Sequence, residues 1–212
     1  MVFREVFDLD AARAASEAAL EASRELAFGM PRRFALADLL QTALLEGDVD
    51  RAAADWPELW EDASTAAGWT RWLVRGRLAV ARAEIAVRAG PAAEAAEWAA
   101  QAVELTKQTR RAKYEAQARS LLGRALAGLG RRDEAIAELR RAVELADWLV
   151  NPAGRWHARA ALVDVLTADG DEAGAEDAAH DARAILTGFA EALAPARAAT
   201  LLAAPPVRAL LA

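Results

Sequence analysis

The chain has no cysteine, two lysines, two histidines and one tyrosine in 212 residues. The missing cysteine excludes disulfides, thiolate metal sites and cysteine nucleophiles. The histidines, His157 and His180, form no HExxH pair or comparable ligand spacing, so no metal site is expected. Neither GxxxxGK[ST] nor GxGxxG occurs, which removes the usual phosphate loops. Ser16, Ser23, Ser64 and Ser120 are the only serines, and none stands in a GxSxG elbow. No catalytic residue and no cofactor is therefore expected. Uncharged apolar runs fall well short of a membrane span. The opening MVFREVFDLD carries acidic residues too early for a signal peptide. These absences fit a cytoplasmic chain.

Positive charge is also scarce. The net charge is −6 and the pI about 5.1, so there is no global attraction to polyphosphate and no nucleic-acid partner is expected. The one basic cluster, Lys107, Arg110, Arg111 and Lys113, is short, with a single tyrosine behind it, and reads as a solvated turn. What is abundant is alanine, leucine, glutamate and arginine, all strong helix formers. Apolar residues make up 55% of the chain, about half of them alanine, and aromatics only 6%. An all-α fold with close helix packing follows.

The helices repeat. Gly47, Gly90, Gly130 and Gly170 each follow an apolar helical segment, at spacings of 43, 40 and 40 residues. Counting 40 back from Gly47 reaches Phe7, which opens the same pattern without a glycine. Five residues after each anchor stands an alanine: Ala12, Ala52, Ala95, Ala135 and Ala175. Twelve after it stand Ala19, Leu59, Ala102, Ala142 and Ala182. Glycine in the left-handed conformation ends the first helix. Asp48, Pro91, Asp133 or Asp171 then suits the start of the second. The alanine after the turn lets the two helices of a hairpin approach.

The clearest unit, RSLLGRALAGLGRRDEAIAELRRAVEL from Arg119 to Leu145, resembles the tetratricopeptide repeat family. Leu122–Gly123, Gly130, Ala135, Leu139 and Ala142 fall at that family's small and large positions. Leu40, Ala83 and Val163 stand where Gly123 does in the other units, and the period is nearer 40 than 34. The longer period is similar to that of the helical-repeat regions of large bacterial regulatory and ATPase-type signalling proteins. The resemblance implies a right-handed α-solenoid over residues 1–212. Residues 1–29 would hold the lone second helix of a truncated repeat. Hairpins would follow at 30–68, 69–109, 110–151 and 152–193, with a cap at 194–212.

Two irregularities stand out. Residues 8–28 have no full first helix before them, so their apolar side calls for a covering element. A preceding N-terminal part of a longer protein would supply it; the alternative is a short cap in which Phe3 and Phe7 fold over that face. Pro57 interrupts DRAAADWPELWEDA and predicts a kinked or broken helix, with Trp56, Trp60, Trp69 and Trp72 packed about the junction; the alternative is that they form an exposed aromatic docking patch.

The resemblance also implies that the first helices line a concave face where peptides or helices dock. In this register the face carries Gln41, then Arg77, Glu84 and Arg88, then Gln117, Ser120 and Arg124, then His157, Asp164 and Thr167. Ser120, Leu121 and Arg124 stand where some members carry a Lys/Asn/Arg clamp for a terminal carboxylate, so that mode is not expected. The implied function is a non-catalytic protein–protein interaction or scaffold module in a larger bacterial regulator. Its partner would be a protein, a peptide or the N-terminal remainder of the same chain. A homodimer through the exposed N-terminal helix is a further expectation. The alternative is a sensor that binds a small molecule or peptide in the groove and signals to an N-terminal module.

Overall fold

The computed structural model describes residues 2–25 and 29–212. It is 87% helical with no strand among the described residues. The helices are α1 (Val2–Glu5), α2 (Leu9–Glu25), α3 (Gly29–Glu46), α4 (Val49–Thr65), α5 (Trp69–Ala89), α6 (Ala92–Gln108), α7 (Ala112–Gly128), α8 (Arg132–Trp148), α9 (Pro152–Asp169), α10 (Glu172–Glu191), α11 (Pro195–Ala203) and α12 (Pro205–Leu211). They form successive antiparallel hairpins, α3/α4 to α9/α10, in a right-handed α-solenoid. The end of the expected 8–28 helix lies outside the described residues.

The turns explain the period. Gly47, Gly130 and Gly170 take φ of 85°, 74° and 83°, the left-handed region that ends a helix. Gly90 does not: at φ −115° and ψ 179° it is extended. Pro91 follows it, and a residue before proline is pushed out of the helical region into this one. Asp48 and Asp171 cap α4 and α10 through their carboxylates.

Phe7 closes the series at the other end. Its φ is 57°, and the amide of Asp8 donates to the Phe3 carbonyl at 2.9 Å. The amides of Asp48, Arg131 and Asp171 bond back across the same number of residues. Residues 2–7 thus stand where the other units have the last turn of a first helix, with phenylalanine in place of glycine.

The alanines five residues past each anchor are all buried, from Ala52, Ala95 and Ala135 at 0% exposure to Ala175 at 7%. Of the second set, Ala102, Ala142 and Ala182 are buried, while Leu59 is partly covered and Ala19 is exposed. Gly123 has a specific cause. A Cβ there would lie 2.5 Å from Leu139 Cγ and 2.9 Å from the Ala135 carbonyl oxygen. The equivalent pair is Ala83 and Ala99 in one unit and Val163 and Ala179 in another. In the first full unit both positions are large, Leu40 and Trp56, and α3 and α4 contact each other least of the four hairpins.

Pro57 does not break α4, which runs unbroken from Val49 to Thr65. Both Pro57 and Ala53, whose carbonyl loses its helical donor, are exposed, so the freed oxygen is not sealed in the core. The tryptophans split. Trp56 and Trp60 stack at 5.1 Å and meet Trp98 edge-on at 5.0 and 5.3 Å. Trp69 and Trp72 stay outside this cluster, more than half exposed. No described helix is long and apolar enough to cross a membrane.

Candidate binding groove

Along the chain α3, α5, α7 and α9 pack on one another, while the second helices share no comparable interface. Close contact on one side and splaying on the other bend the row. The first helices therefore line the inside of the curve.

At one end of this inner face Asp38 on α3 is shared by two arginines. Arg77 on α5 bonds its Oδ1, and Arg4 on α1 reaches the same atom at 2.6 Å and the Asp38 carbonyl at 3.0 Å. Gln41 accepts from Arg77 at 3.3 Å. Arg77 is only 4% exposed, lies over the Phe34 and Tyr114 rings, and is spent within the fold. Burial works to raise the Asp38 pKa, but Arg77 and Arg4 outweigh it and hold the carboxyl below its ordinary value.

The α1 turn continues across the inner face. Glu5 pairs with Lys113 on α7, 108 residues away. Val6 is fully buried in one apolar cluster with Trp156, Leu186, Leu201 and Val207. The Phe7 ring lies 6.3 Å from Trp156 and 6.1 Å from His157, whose own ring stacks on Trp156 at 3.6 Å. Arg197 on α11 covers the Phe3 ring at 5.5 Å. His157 opens to solvent along the groove but is flanked by these walls. Their crowding, with Lys113 nearby, pushes its pKa down to about 4, so the imidazole is neutral at pH 7. Beside Phe3 a hollow of about 370 Å³ is left between α1, α2 and α3, lined by Ala12, Ala15, Met30 and Phe34 among others.

The other end is open. Arg124 and Asp164 line a second hollow of about 350 Å³ with Arg132 and Asp169. Arg132 pairs with Asp169 at 3.2 Å, but Arg124 and Asp164 make no ion pair among the described residues. Crowding raises the Asp164 pKa, and Arg124 only partly offsets it. Gln117 and Thr167 are exposed, and Ser120 donates back to the Ala116 carbonyl at 3.1 Å. Glu84 and Arg88 pair with each other, and Arg88 also bonds the Leu44 carbonyl at 2.7 Å.

Of the expected residues, Gln41, Arg77 and His157 lie at the occupied stretch and Arg124 and Asp164 line the open hollow, while Gln117 and Thr167 are exposed and Glu84, Arg88 and Ser120 bond within the fold. Asp38, Lys113, Tyr114 and Trp156 belong to the groove without having been picked out. Lys113 and Arg111 correct the reading of their cluster as a solvated turn. Lys113 holds Glu5, and Arg111 donates to the Leu73 carbonyl at 3.0 Å and lies 4.4 Å from the Tyr114 ring centre. Lys107 and Arg110 are exposed, as a solvated turn requires. The one signal for Trp156 was its place beside His157. His180 lies on the solvated face. Among the described residues no cluster of acidic and histidine side chains is arranged to hold a metal ion.

No protein-family model and no curated protein matches the chain in sequence. Solved structures do match in fold. PlcR of Bacillus thuringiensis, solved in complex with the peptide PapR7 and DNA, aligns with a TM-score of 0.71 at 13% identity, over 89% of this chain and 67% of that one. BtubC (BKLC) from P. vanneervenii aligns with a TM-score of 0.65 at 18% identity, over 96% and 88%. A putative kinesin light chain from Podosopora anserina, with nearly identical TPR-like repeats, aligns with a TM-score of 0.52 at 19% identity, over 88% and 91%. The chain is thus an α-solenoid of TPR-like helical hairpins. At these identities the likeness is one of fold.

Proposed function

We propose that this chain is a non-catalytic protein–protein interaction or scaffold module that holds a peptide segment of its partner along the concave groove. The observation that carries the reading is the open stretch. Arg124 and Asp164 face a hollow with no ion pair of their own among the described residues, and Thr167 is exposed one turn beyond Asp164. Charges kept on a concave wall without a partner suit recognition better than stability. The fold supports this, since TPR-like repeats are generally binding scaffolds and the PlcR structure holds a peptide. A place within a larger bacterial regulator belongs to the same reading.

A displayed peptide library selected on the intact chain tests it. Selected peptides are expected to lose about ten-fold or more in affinity when Arg88→Glu and Arg124→Glu are combined. Peptides indifferent to both substitutions would contradict it. A second reading is a small-molecule sensor, favoured by the two hollows themselves. A ligand-dependent rise in melting temperature without any peptide selection would support that instead. The outward alanines of α2, Ala14, Ala15, Ala18 and Ala22, are exposed, and self-association through them would appear as a dimer in sedimentation.

A further inference from the structure

In a solenoid each unit touches its sequence neighbours. The α1 turn breaks that rule, because Glu5, Val6 and Phe7 are held by α7, α9 and the C-terminal helices. A four-residue helix does not hold itself together. Phe7 also adopts a left-handed conformation that disfavours a bulky side chain. Docking to the far wall, together with the Arg4–Asp38 pair on the near side, keeps the turn in place.

The contacts are those of a bound peptide. Lys113 takes an acid, the cluster around Leu201 takes a branched aliphatic chain, and Trp156 with His157 takes an aromatic ring. The fit is incomplete: the Trp156 Nε1 is buried and has no hydrogen-bond partner among the described residues. A peptide carbonyl at that indole would supply what Phe7 does not.

We propose that the wall of Lys113, Trp156, His157 and Leu201 is a peptide site, with Glu5–Val6–Phe7 as its occupant in cis. The partner segment it fits presents an acidic side chain followed by an aliphatic and an aromatic one. This rests on the groove reading above and names the chemistry of its partner. The turn stays tethered through Asp8 to α2, so it competes at high effective concentration. A partner binds weakly until the turn lets go.

A labelled peptide VFREVFD, copied from residues 2–8, tests this by anisotropy against the intact chain and the full-length Val6→Asp variant. The variant is expected to bind about ten-fold tighter than the intact chain. A peptide carrying Glu5→Lys is expected to bind the variant about ten-fold more weakly, and to recover when Lys113→Glu is added to it. A folded variant that binds no peptide overturns the proposal, as does binding indifferent to Glu5→Lys. Equal binding to both chains also overturns it, while leaving the Arg88 and Arg124 test of the groove standing. If Val6→Asp fails to fold, hydrogen exchange of the intact chain decides. Amides of Phe7 and Asp8 exchanging about a hundred-fold faster than those of Leu162 and Leu166 support a displaceable turn. Equally slow exchange overturns it.

Discussion

The two stretches of the groove are built from the same helices yet spend their polar groups differently. At the Asp38–Lys113–Trp156 stretch charges are paired and aromatic faces covered, all against one turn of the chain's own backbone. At the Arg124–Asp164 stretch Arg132 pairs with Asp169, but Arg124 and Asp164 line the hollow without an ion pair among the described residues. A side chain at a repeated position is therefore structural or available according to what crosses the groove in front of it. Arg77 and His157 occupy equivalent places in their units. One is locked under Asp38, and the other faces Phe7 from an exposed wall.

The sharpest break of the comparison comes from Trp156→Ala. It removes a side chain that is 1% exposed and is both core and groove wall. A loss of about 3–5 kcal/mol is expected in urea unfolding, with Phe7 released. Next comes Arg77→Ala, which leaves Asp38 with Arg4 as its one remaining cation. A loss of about 2 kcal/mol is expected, below the full value for a broken buried pair because that second arginine stays.

Acid should act on the occupied stretch in a defined window. The His157 pKa is depressed, so below about pH 6.5 the unfolded chain takes up a proton that the folded one refuses. Stability from this group falls between about pH 6.5 and 4, and His157→Gln should flatten that slope in unfolding measured across the range. Asp38, also depressed, adds a loss as pH drops below about 4, through its folded value. Asp164 has the opposite sign: its raised pKa means that ionisation works against the fold as pH rises. The smallest effects are accordingly expected there. Arg124→Ala and Asp164→Asn should each change stability by about 0.5 kcal/mol or less, Asp164→Asn toward greater stability. A large loss from either would mean that the open stretch is structural.

The fold was legible because its signals are local. Gly47, Gly130 and Gly170 set the turns, and the alanine five residues on set the approach, within single hairpins. Gly123 could be recognised for the same reason, since its constraint, Leu139, sits 16 residues away in the same unit. The Phe7 turn was legible in register but not in shape, because the residue there is not the one that normally marks it. Gly90 misled because Pro91 overrides it. The occupied stretch was hidden for a different reason. Arg4–Asp38, Glu5–Lys113 and Phe7–Trp156 join residues 34, 108 and 149 positions apart, and nothing in a periodic pattern records which units the first turn will meet. Lys113 looked like part of a basic turn because its partner lies at the far end of the chain.

The most direct test of this division is a double-mutant cycle on Glu5 and Lys113. Glu5→Gln and Lys113→Met are made singly and together, and unfolding free energies are compared. If the first turn lies across the groove, the two changes are coupled by about 0.5–1 kcal/mol, and the double variant is no worse than the poorer single one. Additive losses, with no coupling between the two sites, would contradict it.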